Sequence, residues 1–207
     1  MDDNEKKYWI RNWWNWFYSI EEYNHPAYAY GGIRKNDILQ GRRPYGILPT
    51  GTPLPEKNLW FLSGSYGAPA EVKSIMKVGF TRLLVPAYNI GASQEEFPSL
   101  KREKIQEFVT HDVDKVTFKL AELDGCDITD RLERKQWDFT DWFPVSNIPE
   151  ENIGDLDEEN ISICCDGWWL FLDEKDLEVG DHILTMKGEA HNYRTETRYN
   201  ITVRGGK

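Results

Sequence analysis

The segment from residue 28 to residue 46 combines cationic, aromatic and glycine residues in a way that suits the binding of a small anion. YAYGGIRKNDILQGRRPYG contains four basic side chains and one acid, a net charge of +3 in a chain of net charge −10. An arginine fork binds phosphate or carboxylate bidentately, tyrosine rings stack on planar groups, and glycine lets backbone N–H groups approach an anion. The ligand residues predicted on this basis are Arg34, Arg42, Arg43, Tyr30 and Tyr45, with Trp14 at the cavity wall.

Two other interpretations of the sequence remain open. The arginines of residues 28–46 could simply offset the acidic surface, with the tyrosines packed down. Alternatively, the chain could be an enzyme, a hydrolase, isomerase or lyase in which His111 acts with Asp112 or Glu96 in general acid–base catalysis. His111 is also favourable at the C-terminus of a helix, where its charge would interact with the helix dipole. Nothing in the spacing of cysteines, histidines and acids predicts a metal or a cofactor.

A third interpretation is carbohydrate recognition through a tryptophan. Trp168 and Trp169 are neighbours in a stretch that reads as a β-strand, DGWWLFL. Successive side chains of a strand point to opposite faces, so one ring is expected in the core while the other could be exposed for stacking on a sugar.

Charge and cysteine content exclude several classes of protein. The 35 acids outnumber the 25 bases, whereas a protein that binds a nucleic acid polymer usually carries a basic face. The N-terminal MDDNEKK lacks the apolar segment of an export signal, and no apolar run is long enough to span a membrane. The three cysteines, Cys126, Cys164 and Cys165, lack the spacing of a disulfide framework or a zinc site. We therefore expect a cytoplasmic protein that binds neither nucleic acid nor membrane; the sequence also allows a homo-oligomer.

The elements that must position these residues begin with a tryptophan-rich helix, predicted over 8–24. Trp9, Trp13, Trp16 and Phe17 share one stripe at helical spacing, and Trp14 lies at its edge. The polar face carries mainly Asn and Ser rather than the Lys and Arg of a membrane-surface helix, so we expect the stripe to cover a sheet. Residues 25–58 follow as a long loop rich in Tyr, Arg and Gly.

From residue 59 the pattern changes to short strands. Alternating apolar runs separated by Gly and Pro predict eight or nine strands, interrupted by one helix near 99–112. Asp124-Gly125 predicts a hairpin turn, and Asp166-Gly167 predicts a second turn between two strands. The whole chain, 1–207, is therefore expected to form one mainly β domain: an antiparallel β-sandwich over 59–204, of jelly-roll or immunoglobulin-like type, with the N-terminal helix packed on it.

The order of these motifs resembles that of a family of uncharacterised bacterial proteins, many of them exported. The similarity covers roughly residues 9–203 and is carried by WWNWFYSI, NLWFLSGSYG, FTRLLVPAYN, LDG, PEENI, DGWWLFL and HILTMKGEA. In that family WFLAG-like, PAG-like and DGYW-like motifs occur on a predicted β-sandwich. The resemblance implies a fold and no particular chemistry. This chain differs in lacking the family's export signal and in its longer connection between the first helix and the WFL strand.

Overall fold

A computed structural model describes most of the chain outside the long loop. It covers residues 1–20, 25, 59–64, 70–77, 82–138, 140–152, 156–191 and 193–205, with residues 59 and 70–77 described by their backbone alone. The five predicted ligand residues between 28 and 46 lie outside these ranges, whereas Trp14 and the candidate catalytic residues lie inside them.

The fold is mainly β, with two helices and ten strands in the described residues. The helices are α1 (Asp3–Tyr18) and α2 (Arg102–Asp114). The strands are β1 (Leu59–Phe61), β2 (Ala70–Lys77), β3 (Arg82–Ser93), β4 (Val116–Leu123), β5 (Cys126–Asp127), β6 (Glu133–Gln136), β7 (Phe143–Ser146), β8 (Asn160–Asp173), β9 (Gly180–Ala190) and β10 (Tyr193–Arg204).

Both predicted helices form, with different ends. The α1 helix begins earlier than residue 8, because Asp2 caps its N-terminus by accepting a hydrogen bond from the backbone N–H of Glu5 at 2.8 Å. It ends at Tyr18, well before the predicted residue 24. The α2 helix is shifted by about one turn toward the C-terminus from the predicted 99–112 and ends at Asp114.

The strands form two five-stranded sheets. Sheet 1 has the order β1-β3-β8-β6, and β7 also pairs with β8; sheet 2 has the order β2-β10-β9-β4-β5. The prediction of wholly antiparallel sheets is wrong at two pairs, because β1 runs parallel to β3 and β2 runs parallel to β10. Consecutive strands β1, β2 and β3 alternate between the two sheets, so β1 and β3 enter sheet 1 in the same direction.

Sheet 1 is buried on both faces. One face packs against α1 in a cluster of mostly aromatic residues that we call the aromatic cluster: Trp9, Ile10, Trp13, Trp14, Trp16, Phe17, Tyr18, Ile20, Phe61, Leu84, Trp137, Phe143, Val145, Ile148, Leu156, Ile161, Ile163, Cys165 and Trp169. On the other face, Leu83, Val85, Leu170 and Leu172 of sheet 1 share a core with Leu184, Met186, Tyr199 and Ile201 of sheet 2. The tryptophan helix therefore covers a sheet, as its stripe predicts.

The two Asp-Gly pairs adopt different structures. Asp124 and Gly125 have positive φ angles of 51° and 80° and turn the chain from β4 to β5, as predicted. The prediction of a second turn at Asp166-Gly167 is wrong, because β8 continues without interruption through both residues. Gly167 serves close packing instead: a Cβ there would lie 2.7 Å from the Cβ of Asn89 on the neighbouring strand β3.

Candidate functional site

Trp14 is the one predicted ligand residue that lies within the described ranges, and it is buried. Its side chain is 4% exposed, and its ring stacks on Tyr18 with centroids 5.7 Å apart. The ring also lies directly over Gly91 of β3, where an added Cβ would come within 2.9 Å of it. The absence of a side chain at residue 91 thus creates the space for the indole on sheet 1. These contacts give Trp14 a packing role.

The described residues on either side of the long segment meet in the aromatic cluster. The ring of Trp16, near the end of α1, lies 5.8 Å from the ring of Phe61 in β1. His25 is fully buried, and its Nε2 lies 3.0 Å from the carbonyl oxygen of Phe17. Burial lowers the pKa of His25 to about 4, so this ring is neutral at physiological pH and can donate to that carbonyl.

Several described basic side chains are paired with acids of the same chain. Lys6 bonds Glu133 at 2.6 Å and Lys7 bonds Asp141 at 3.1 Å across the edge of α1. Similar pairs join Arg131 to Asp176, Arg134 to Asp166 and Asp114, Lys135 to Asp3 and Glu133, and Lys187 and Arg194 to Glu196. These cations are neutralised internally, so an added anion would compete with a carboxylate at each of them.

The three candidate catalytic residues lie in different surroundings. His111 faces outward and lines an open groove of about 500 Å³ along α2, together with Lys104, Glu107, Phe108, Thr110 and Asp114. Asp112 faces β3 and accepts a hydrogen bond from the hydroxyl of Tyr88 at 2.5 Å. Glu96 accepts from the backbone N–H of Ser93 at 2.7 Å. Within the described residues, no hydrogen bond joins His111 to either acid.

The structure contains an ion pair under α2 that the sequence does not predict. Asp166 is fully buried on β8, and Arg134 of β6 donates to its carboxylate from Nε at 3.1 Å and Nη2 at 2.7 Å. Nη1 of the same arginine bonds Asp114 at the end of α2 at 2.7 Å. Burial raises the pKa of Asp166, although the Arg134 charge opposes this rise. Because the partners are far apart in sequence, no local pattern signals the pair, which joins β6, β8 and α2.

The two neighbouring tryptophans of β8 point to opposite faces, as expected for a strand. Trp169 is fully buried in the aromatic cluster, whereas Trp168 is partly buried on the other face. The ammonium group of Lys119 lies 4.1 Å from the centroid of the Trp168 ring, a cation–π contact. A sugar could stack on this face of Trp168 only by displacing Lys119.

The described residues contain neither a metal-binding cluster nor a membrane-spanning helix. No group of three or more His, Cys, Asp or Glu side chains there could hold a metal ion. None of the helices in the same residues has the length and apolar character needed to cross a membrane.

Comparison with other proteins does not assign the chain to a class. No family model, curated protein or solved structure matches it. The resemblance to the bacterial family with WFLAG-like motifs therefore stays a prediction, and any function must be argued from the residues themselves.

Proposed function

We propose that the protein is a β-sandwich that binds a small anionic ligand, such as a nucleotide-like molecule with a phosphate and a planar ring, and acts as a sensor or a sequestering protein. The anion would be held by Arg42, Arg43 and Arg34, and a planar group would stack on Tyr30 and Tyr45. We also propose that the two sheets have a jelly-roll or immunoglobulin-like topology.

The observation that carries this proposal is the distribution of charge. Residues 28–46 hold four cations and a single acid in a chain of net charge −10. Lys6 and Arg131, by contrast, are paired with Glu133 and Asp176. The sequence of residues 28–46 therefore offers an anion four cations against one local acid.

The contacts at the two ends of the segment give further support. The chain leaves α1 and re-enters at β1, and the rings of Trp16 and Phe61 on either side are 5.8 Å apart. Long connections between the elements of a compact domain are often functional.

The test is a titration of the whole chain with ATP, inorganic pyrophosphate and adenosine, followed by calorimetry. Hydrogen bonds to charged groups contribute about 1.5–3 kcal/mol each, so the double variant Arg42→Gln, Arg43→Gln should bind pyrophosphate at least about tenfold more weakly. The matched control is Arg194→Gln with Arg198→Gln, which removes the same charge from the exposed face of sheet 2. Equal losses in both variants, or unchanged binding in the first, would count against the proposal.

The enzyme and carbohydrate alternatives have less support than anion binding. His111, Asp112 and Glu96 would have to come together from separate contacts before they could share a substrate proton, and the Trp168 ring is covered by Lys119. Turnover that follows a single ionisation and disappears in His111→Gln would favour the enzyme. Quenching of tryptophan fluorescence by a glycan, lost in Trp168→Phe, would favour the carbohydrate module.

A further inference from the structure

The outer face of α2 carries a row of exposed polar side chains that we call the α2 stripe. It consists of Lys104, Glu107, His111 and Asp114. Their spacing of three, four and three residues places all four on one side of the helix. The opposite side of α2 is buried and packs against β3 and β8, so the stripe faces away from the protein's own sheets.

Apolar side chains lie next to the α2 stripe. Phe108 lines the same groove and is 46% exposed, and its ring centroid lies 5.5 Å from that of Phe97. Leu100 bonds the carbonyl of Phe97 through its backbone N–H at 3.0 Å and is 41% exposed. Exposed apolar side chains that adjoin one another, rimmed by polar residues, are typical of a surface that another protein covers.

The order of charges along the stripe is complementary to itself when reversed. If a second α2 runs antiparallel and the two helices are centred at residue 109, Lys104 faces Asp114 of the second copy and Glu107 faces His111 of the second copy. Two-fold symmetry makes each of these contacts twice. The spacing of the stripe is also that of the a and d positions at which paired helices meet.

The same arrangement brings the exposed aromatic side chains together. Phe108 is one residue from the centre, so the two copies of Phe108 differ in height by about 3 Å along the helix axes, at a rise of 1.5 Å per residue. A two-fold axis perpendicular to the plane of two antiparallel helices keeps both rings on the same flank of the contact. Burial of these rings adds an apolar contribution to the polar contacts of the stripe.

The contacts within one copy leave these charges accessible. Lys104 bonds Glu107 at 2.5 Å, but both side chains are more than half exposed, and an exposed pair of this kind contributes little to stability. Asp114 bonds Arg134 through Oδ1 alone, and its side chain is 53% exposed. The Oδ2 atom of Asp114 can therefore accept from the Lys104 ammonium group of a second copy, and a His111 ring N–H can donate to Glu107.

We propose that the outer face of α2 is the contact surface of a homodimer, in which α2 of one copy packs antiparallel against α2 of a second copy. The charges of the stripe set the register, and Phe108 supplies the apolar contact. An interface built on one face of one helix is small, so the dimer is weak and reversible. The proposal does not rest on the anion site, because no residue of 28–46 belongs to this surface.

The experiment is sedimentation velocity of the whole chain at about 0.01–1 mM, the range in which a small interface associates. The variants are Glu107→Lys, His111→Glu, their combination in one chain, and Phe108→Ser. Glu174→Lys makes the same change of charge in the exposed turn after β8 and is the control. Far-ultraviolet circular dichroism of each variant checks that α2 remains folded.

The wild type should sediment faster as its concentration rises, with the limit of a dimer. Each single charge variant should dimerise at least about tenfold more weakly, because like charges then face each other or an attraction is lost, and Phe108→Ser should also weaken the dimer. The combined variant exchanges the two charges and should dimerise more tightly than either single variant, as should an equal mixture of the two single variants. Glu174→Lys and Arg42→Gln, Arg43→Gln should behave as the wild type.

Three results would overturn the proposal. The first is a monomer at every concentration. The second is a dimer that Glu107→Lys and Phe108→Ser leave unchanged, because the contact would then lie elsewhere. The third is a combined variant that dimerises no better than the single variants, because a parallel contact or another register would give that result.

Discussion

Replacement of Trp13 by alanine should remove a large part of the stability of the fold. The side chain is 1% exposed and makes ring contacts with Trp16 at 5.9 Å and Trp169 at 5.2 Å. Truncation of a buried tryptophan or phenylalanine costs about 3–5 kcal/mol through lost burial and the cavity that remains. For a chain of this length each kcal/mol lowers the melting temperature by about 2–4 °C, so we expect a decrease of about 6–20 °C.

Trp13→Phe separates the hydrogen bond from the packing. It keeps a ring in the cluster but removes the N–H that bonds the Leu62 carbonyl at 2.8 Å, and leaving a buried acceptor unsatisfied costs about 1–3 kcal/mol. Urea unfolding followed by far-ultraviolet circular dichroism gives both free energies, and Trp168→Ala, at a partly exposed ring, is the control. A loss below about 1 kcal/mol in Trp13→Ala, or a loss no greater than in Trp168→Ala, would refute the packing of α1 on sheet 1.

Three further predictions test other contacts of the fold. Arg134→Met leaves the buried carboxylate of Asp166 without its cation, so the free energy of unfolding should fall by about 3–5 kcal/mol in urea; a change near zero would contradict this. Burial lowers the pKa of His182, but its hydrogen bonds to Asp124 and to a backbone carbonyl raise it more, so the ring stabilises the fold fully below about pH 6.5 and loses this effect as the pH rises through the raised value. The stability advantage of wild type over His182→Gln should therefore shrink as the pH rises above about 6.5 and through the raised pKa, and an advantage that grows would contradict the charged pair. Gly188→Ala places a Cβ 2.8 Å from a side-chain carbon of β3, and thermal unfolding should show a loss of about 1–3 kcal/mol; an unchanged melting temperature would contradict the close approach.

The sequence predicts the elements better than it predicts their neighbours. The periodicity of Trp9, Trp13 and Trp16 places them on one buried face, and all three are buried beneath α1. Trp14, predicted at the edge of that stripe, is as buried as Trp16, because Gly91 makes room for its ring. We therefore expect Trp14→Ala to destabilise the fold more than its position on the helical wheel suggests.

The same dipeptide in two places shows why local signals fail. Asp124-Gly125 turns the chain with positive φ at both residues, and the space around the Gly125 Cα is open. At Asp166-Gly167 the aspartate is held in a strand by Arg134, and the glycine is needed for the approach of Asn89. These partners come from other strands, so the distinction arises only in the tertiary structure.

For the candidate site, too, the sequence predicts some features and not others. Charge composition alone identifies residues 28–46, and this part of the prediction is independent of the described structure. The ion pair of Arg134 with Asp166 joins β6 to β8, and no spacing in the sequence reveals it.

The most direct test of anion binding is a crystal structure of the whole chain grown with selenate, an analogue of sulfate and phosphate whose selenium gives an anomalous signal. The account predicts an anomalous peak within hydrogen-bonding distance of the guanidinium groups of Arg42 and Arg43, and the loss of that peak in Arg42→Gln, Arg43→Gln. Peaks confined to cations on the exposed face of sheet 2, with none at Arg42 or Arg43, would contradict it.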